Sequence, residues 1–276
     1  MKLPKGALAI ALLVALLYFR TFHWLVNTWL TDPYYSHGFL IVLVSCFIAW
    51  RALHTANSQN DPKPEPYTRG LFVFAFGLIL YVIGFVTIFP LLTALSFLFV
   101  TSGLILYLYG KPLMRAFLFP VAFLIFAIPL PLVFLNIVAH TMQTVAARYP
   151  TALLELLGIP VTRVGAEIHL TDASFTVGLP CSGMYSLISL LALATLFIYL
   201  LNCPLYKKAA LLCLAVPIAI LANVIRVTSL LLIANAYGAE TASGFYHTLF
   251  SPLLFILAFI CLILISILMR CSIAGR

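Results

Sequence analysis

Charged side chains are scarce in this sequence. Only 8% of its 276 residues are Asp, Glu, Lys or Arg, whereas 64% are hydrophobic and the mean hydropathy is +1.16. Soluble globular domains carry about 25% charged residues, so this composition excludes a water-soluble fold. A membrane β-barrel would alternate apolar and polar residues along each strand, and the apolar runs here do not alternate. The chain is therefore predicted to cross a membrane as helices.

Three further patterns are missing. No small-residue cleavage site follows the first apolar run, which predicts an uncleaved first span. The six cysteines have no regular spacing, so no disulfide framework is predicted. No pair of His, Cys or carboxylate residues has metal-ligand spacing, and neither a metal nor another cofactor is expected.

The net charge of +8 comes from basic residues scattered at the ends of apolar segments, so nucleic acid is not an expected partner.

The apolar runs predict about eight membrane spans. A helix needs roughly 20 residues to cross a hydrocarbon core. Hydropathy and its breaks place the spans near residues 6–22, 38–53, 70–89, 91–109, 113–131, 182–201, 209–234 and 250–269. The predicted fold class is an all-α polytopic integral membrane protein, with residues 1–276 forming a single membrane-embedded domain.

The segment at about 132–181 is predicted to be extracytoplasmic. Residues 132–157 have the pattern of an amphipathic helix that lies at the interface and is interrupted at Pro150. Short β-branched runs separated by Thr-Asp-Ala-Ser at 171–174 then predict a small β-hairpin. Lys and Arg counts give the orientation, because eleven fall on the side of the amino terminus and three on the other. The positive-inside rule therefore predicts both termini in the cytoplasm.

Arg226 lies inside the seventh predicted span. A charge at that depth costs at least about 2.5–3.5 kcal/mol on insertion scales. None of the seven acids falls inside a predicted span, so the compensating group is a thiolate, backbone carbonyls, a residue at the outer rim or a bound substrate. Asn223, three residues earlier on the same helical face, is expected to orient the guanidinium. The alternative is that Arg226 extends to the outer surface and has no chemical role.

Cys181 stands in Pro-Cys-Ser-Gly at the predicted start of the sixth span. A helix amino terminus stabilises a thiolate, and the free N–H groups near Ser182 and Gly183 could hold an oxyanion. Gly183 would also let a substrate backbone approach closely. The alternative for Cys181 is a small buried hydrophobic side chain.

Histidines supply the candidates for a general acid–base group. His247 precedes the last span on the same predicted membrane face as Cys181. His37, at the start of the second span, is a competitor, and His169 in the predicted hairpin is a weaker one. A nucleophile, a cation and a titratable base at one face suit thioacyl chemistry.

These residues resemble the exosortase and archaeosortase family of polytopic cysteine transpeptidases. The resemblance is carried by Cys-Ser-Gly at 181–183, Asn-Val-Ile-Arg at 223–226 and His247, with support from Tyr-Ser-His-Gly-Phe at 35–39 and Ile-Pro-Leu-Pro at 128–131. It implies that Cys181 is the nucleophile and that Arg226 and His247 are its catalytic partners. Ser182, Gly183, Asn223 and His37 are then expected to support the site or to bind substrate.

The resemblance also implies the substrates and the location. The expected partners are membrane lipids and secreted proteins that end in a short motif such as Pro-Glu-Pro, a membrane helix and a basic cluster. Cleavage is expected at the extracytoplasmic face of the inner membrane. Gly-Leu-Pro before the cysteine departs from the common family pattern, which leaves the tail motif open. Two other functions stay open: a transporter that binds an anionic solute at Arg226, and a non-catalytic membrane scaffold.

Overall fold

Long apolar helices make up most of the described chain. The computed structural model describes residues 6–58, 66–170, 174–178, 181–238 and 247–273. Contacts within the chain group it into two compact units, Met1–Pro131 and Leu132–Arg276. The first unit contains α1 (Ala7–Leu17), α2 (Phe19–Thr31), α3 (Gly38–Ser58), α4 (Gly70–Val86) and α5 (Pro90–Phe123). The second unit contains α6 (Leu132–Leu156), α7 (Met184–Leu200), α8 (Leu205–Tyr237) and α9 (His247–Leu268).

Several of these helices are suited to spanning a membrane. Within the described ranges, four segments are long and apolar enough, and the bent pair α1–α2 would make a fifth; the four are Pro33–His54, Pro90–Ala127, Leu205–Tyr237 and Leu249–Leu268. Helices α4 and α7 are apolar but shorter, at 17 residues each. Many large apolar side chains on these helices are exposed, as expected of surfaces that face lipid. The protein is a mostly helical, multi-pass membrane protein, and the number of eight spans stays a prediction.

The first predicted span, 6–22, is broken in the structure. Helices α1 and α2 meet at Tyr18 and are bent by 65°. Tyr18 is fully buried, and its hydroxyl lies 2.8 Å from that of Ser96 on α5. The Tyr81 hydroxyl donates a hydrogen bond of 2.7 Å to the Leu17 carbonyl and so occupies a backbone acceptor at the bend. These tertiary contacts stabilise a break that hydropathy alone does not reveal.

Helices α4 and α5 pack through glycines at seven-residue intervals. Gly70, Gly77 and Gly84 are all buried, and they face Tyr107, Val100 and Thr93 respectively. The falling numbers on α5 show that the two helices are antiparallel neighbours, as the short connection at Pro90 predicts. A Cβ atom at Gly77 would lie 2.7 Å from the backbone nitrogen of Val100, so only glycine allows this approach.

Helix α5 joins two predicted spans, 91–109 and 113–131, across a break. Gly110 has φ 83° and ψ −174°, which is not helical. The helix resumes and ends at Phe123, and a 3-10 turn follows over Leu124–Ala127. After it, the backbone N–H of Leu130 donates a hydrogen bond of 2.8 Å to the Tyr35 hydroxyl. The two supporting motifs of the sequence, at 35–39 and 128–131, are therefore in contact.

The second unit begins with a single helix where an interrupted one was predicted. Helix α6 runs through Pro150 without ending there. Ala146, Ala147 and Leu154 lie on both sides of the proline and are buried against the neighbouring sheet and α8, which holds the helix together despite the missing N–H. Whether α6 lies at the membrane interface stays a prediction.

A three-stranded antiparallel sheet follows α6. Its strands are β1 (Val161–Val164), β2 (Glu167–Leu170) and β3 (Ser174–Thr176), in the order β1-β2-β3. The sequence predicted a hairpin with one turn at 171–174, whereas the structure has a further turn at Gly165, where φ is 64°. Residues 171–173 of the predicted turn lie outside the described residues. A second, two-stranded sheet pairs β4 (Leu201–Asn202) with β5 (Ser272–Ile273).

We expect Gly77→Ala to destabilise the protein, because its new Cβ would meet the α5 backbone rather than a flexible side chain. Overpacking of this kind typically costs about 1–3 kcal/mol. The loss of stability is measured by thermal unfolding in detergent, with the loss of monodispersity as the signal. Gly6→Ala is the control, since a Cβ there meets nothing within 4 Å. Equal unfolding temperatures for the two variants would contradict the close α4–α5 packing.

Candidate active site

Cys181 lies in a turn just before α7 rather than in the first turn of the helix. Its backbone N–H donates a hydrogen bond of 2.9 Å to the Gly178 carbonyl. Helix α7 begins three residues later, at Met184, with Gly183 as its N-cap. Pro180, on which the expected helix start partly rested, lies outside the described residues. Cys181 is half-buried, which leaves its thiol partly accessible.

Gly183 allows the turn to meet α8 closely. Its φ of 86° is in the left-handed region, and an added Cβ would lie 2.6 Å from Cγ of Asn223. The sequence pattern predicts a substrate backbone in this space. In the structure, the Asn223 side chain occupies it.

Asn223 holds the Cys181 turn against α8. Its Nδ2 donates hydrogen bonds of 3.1 Å to the Cys181 carbonyl and 3.0 Å to the Ser182 carbonyl. The Ser182 hydroxyl, which is fully buried, accepts a hydrogen bond of 3.3 Å from the N–H of Met184. Asn223 was expected to orient Arg226, but these contacts are to the turn. Its Oδ1 is buried and has no hydrogen-bond partner among the described residues.

Arg226 lies one turn further along α8 and is only 6% exposed. Its Nη1 donates a hydrogen bond of 3.3 Å to the Ser251 hydroxyl on α9. Within the described part of the chain, Nε and Nη2 are buried without a partner, and no acidic side chain forms an ion pair with the guanidinium. Cys181, when ionised, interacts electrostatically with it. The guanidinium is thus buried among helices.

A narrow cleft lies between α7, α8 and α9. Asn223, Arg226 and Ser251 contribute polar groups to it, together with Ser186, and the rest of its lining is apolar. Neither serine was among the candidate site residues predicted from the sequence. The signal for Ser251 was its position four residues after His247, since residues four apart lie on the same side of a helix.

The candidate histidines fall in different parts of the molecule. His247 is the first residue of α9, and its side chain lies outside the described part of the structure. In the first unit, His37 makes a hydrogen bond with the Phe126 backbone, while its Nε2 is buried and has no partner among the described residues. His169 lies on β2 with Nε2 3.8 Å from the Glu167 carboxylate.

The small sheet positions the segment that leads to Cys181. The N–H of Val177 donates a hydrogen bond of 2.9 Å to the Ala166 carbonyl, and the Gln143 side chain of α6 donates a short one to the Val177 carbonyl. Ile168 of the sheet and Val227 of α8 belong to one buried apolar cluster, against which Cys181 packs. The sheet, α6 and α8 therefore anchor the chain at Val177, four residues before Cys181.

We expect Gly183→Ala to destabilise the protein more than Gly165→Ala. Both glycines have left-handed backbones, but a Cβ at Gly165 meets nothing within 4 Å. Gly165→Ala therefore measures backbone strain alone, whereas Gly183→Ala measures the strain and the collision with Asn223 together. The collision adds about 1–3 kcal/mol to the backbone strain. Thermal unfolding of the two variants in the same detergent measures the difference. Equal losses would contradict the close approach of Asn223.

Comparison with known proteins identifies the family. The family model described as transmembrane exosortase matches residues 29–264, which is most of the chain. No curated protein and no solved structure matches it. The matched range contains the Cys181 turn, the whole of α8 and the beginning of α9. The chain belongs to the transmembrane exosortase family.

Proposed function

We propose that this protein is a membrane-embedded cysteine peptidase or transpeptidase that removes carboxy-terminal sorting tails from secreted proteins. Membership of the exosortase family supports a protein-sorting protease, because the family consists generally of cysteine peptidases and transpeptidases. The single observation that carries the proposal is that Cys181 lies close enough to Arg226 to interact with it electrostatically, while Nε and Nη2 of this buried guanidinium have no partner among the described residues.

The proposed reaction begins with attack of the Cys181 thiolate on the carbonyl carbon of a substrate peptide bond. The carbonyl oxygen takes up the electron pair and becomes an oxyanion. Nε and Nη2 of Arg226 then donate hydrogen bonds to it, an interaction that strengthens as the negative charge develops. Collapse of this intermediate breaks the C–N bond, and a histidine supplies the proton that the leaving amine needs. A thioacyl enzyme remains, and an acceptor nucleophile releases the protein from it.

The environment of Arg226 suits this role. In water, solvent would satisfy its donors and weaken any interaction with an oxyanion. In the structure the side chain is buried, and only Nη1 has a hydrogen-bond partner among the described residues, Ser251. That contact fixes one edge of the planar guanidinium and leaves the other edge for a ligand. Arg226 is therefore preorganised, so little rearrangement accompanies the reaction.

His247 is the proposed proton donor, and His37 is the competitor. His247 begins α9 four residues before Ser251, so the helix brings both positions to the same side. His37 is supported by its buried Nε2, which is without a partner in the described residues. The proposal assigns the proton transfer to one of these two imidazoles.

The proposed topology rests on the distribution of Lys and Arg, and the proposed partners rest on the family. The positive-inside asymmetry supports cytoplasmic termini and a Cys181 turn on the extracytoplasmic face, and the family supports the inner membrane as the location. The substrates are secreted proteins whose tails combine a short motif, a membrane helix and a basic cluster, and the membrane lipids surround both proteins. The apolar exposed surfaces of the helices suit lateral entry of such a tail from the bilayer.

We expect Cys181→Ala to abolish cleavage of a tailed substrate and Cys181→Ser to lower its rate by at least about 10³-fold, because a neutral hydroxyl replaces the thiolate. Reconstituted vesicles containing enzyme and substrate, sampled over time by gel and mass spectrometry, measure the rate. Cys213→Ala is the control, since Cys213 is an exposed cysteine of α8 away from the cleft. Normal processing by both Cys181 variants would refute the enzyme assignment.

The same assay separates the two histidines. Removal of the working imidazole by alanine should slow the reaction about 10²–10⁴-fold and abolish its dependence on a group that titrates near neutral pH. The other variant should keep its pH profile. Retention of the wild-type profile by both His247→Ala and His37→Ala would remove histidine from the mechanism.

We expect Arg226→Lys to insert normally and to lose about 10²–10³-fold in cleavage rate, because an ammonium group cannot present the planar pair of donors. Arg163→Lys is the matched control: Arg163 is an exposed arginine of the same unit. Single-turnover measurement isolates the formation of the thioacyl enzyme. A fully active Arg226→Lys enzyme would rule out the oxyanion role.

A further inference from the structure

Two cysteines face each other at the end of the helix bundle opposite the start of α7. Strands β4 and β5 pair in antiparallel register, with Leu201 opposite Ile273 and Asn202 opposite Ser272. Continuing that register by one residue places Cys203 directly opposite Cys271. The two residues belong to the turn after α7 and the turn after α9, and the proposed function uses neither of them.

Side-chain contacts support this pairing. The thiols of Cys203 and Cys271 are within hydrogen-bonding reach of each other, and both residues are half-buried. The turn is held in place by other groups: Nζ of Lys207 donates a hydrogen bond of 2.7 Å to the Met269 carbonyl, and the N–H of Cys271 donates one of 2.9 Å to the Ser266 carbonyl. The two sulfurs are thus held together by the backbone of both turns.

We propose that Cys203 and Cys271 are a redox-modifiable dithiol that closes to a disulfide by exchange with a small-molecule disulfide of the glutathione class. Directly opposite residues in an antiparallel ladder have Cα atoms about 4.5–5.5 Å apart. Disulfides need Cα separations of about 4.4–6.8 Å, so the bond can form with little movement of the backbone.

The exchange balances in two steps. The thiolate of one cysteine attacks a sulfur of the external disulfide, forms a mixed disulfide and releases one thiolate, which takes up a proton. The second cysteine loses its proton and attacks the mixed disulfide at the protein sulfur, which forms the Cys203–Cys271 bond and releases the second small thiol. Two protein thiols are oxidised, and one external disulfide is reduced to two thiols.

Charge at the site sets the pH dependence of this exchange. Burial raises the pKa of the Cys271 thiol, and the neighbouring Cys203 raises it further, while Lys207 and Lys208 oppose the increase. A raised pKa means that less thiolate is present at neutral pH than for an ordinary cysteine. Because only the thiolate exchanges, closure should be slow at pH 7 and should accelerate as the pH rises through the Cys271 pKa.

Closure would link the ends of the helices that carry the candidate active site. Cys203 follows α7 and precedes α8, which contains Arg226, while Cys271 follows α9, which contains Ser251. A disulfide would therefore fix the ends of α7 and α8 to the end of α9. The dithiol is a modification site outside the cleft, and its test does not depend on the proposed peptidase activity.

The experiment treats the full-length protein in detergent with oxidised glutathione and analyses unreduced peptides by mass spectrometry. We expect a Cys203–Cys271 cross-linked peptide that has lost two hydrogens. Cys203→Ser and Cys271→Ser should instead retain a glutathione adduct on the remaining cysteine, about tenfold more than the wild type, because no neighbouring thiol resolves it. The two serine variants are the controls for unresolved adduct, because each keeps one cysteine of the pair in the same surroundings.

The pH arm repeats the reaction from pH 7 to pH 10 under the same conditions. The cross-link should form faster at the alkaline end, whereas serine variants gain only adduct. The proposal would be overturned if the wild-type protein carried as much glutathione adduct on Cys203 and Cys271 as the single variants carry on their remaining cysteine. A cross-link that forms only after denaturation would overturn it as well.

Discussion

The buried guanidinium of Arg226 constrains the arrangement of the second unit. A charge inside a membrane span is costly, and the described acids offer it no ion pair. In the structure the Ser251 hydroxyl on α9 accepts a hydrogen bond from the guanidinium, and Cys181 before α7 lies within range of an electrostatic interaction with it. Because these groups come from three segments, the packing of α7, α8 and α9 is tied to the chemistry of one side chain. The small residues Ala194, Ala215, Ala219 and Ala258 in the shared core let those helices approach closely.

Helical spacing allowed part of the candidate site to be predicted. Asn223 and Arg226 are three residues apart on an apolar helix, so the sequence alone places both on one face of α8. What Asn223 does could not be predicted, because its partners are backbone carbonyls that lie 41 and 42 residues earlier in the chain. The role of Gly183 was assigned to substrate for the same reason. A left-handed N-cap against an asparagine is a tertiary contact, and hydropathy carries no information about it.

The fold shows the same division. Apolar length located the ends of α3, α4, α7, α8 and α9 to within about five residues, since the hydrocarbon core sets a minimum length for each span. Breaks inside the apolar runs were missed at Tyr18, where buried hydroxyl groups stabilise a 65° bend. At Pro150 the opposite error occurred, because an interruption was predicted and none is present. A proline by itself indicates a helix end, whereas α6 continues through it. Local residue preferences are therefore overruled wherever neighbouring elements supply or remove backbone hydrogen-bond partners.

The position of the cysteines along α7 explains how one chain can hold two kinds of thiol chemistry. Cys181 precedes this helix and Cys203 follows it, and the 17 residues between Met184 and Leu200 form a continuous helix. At 1.5 Å per residue, the helix separates its ends by about 25 Å, far beyond the reach of a disulfide. The candidate nucleophile therefore cannot be captured by the dithiol of its own chain. Helix α7 thus separates Cys181, which must stay reduced to act as a nucleophile, from Cys203 and Cys271, which are proposed to become oxidised.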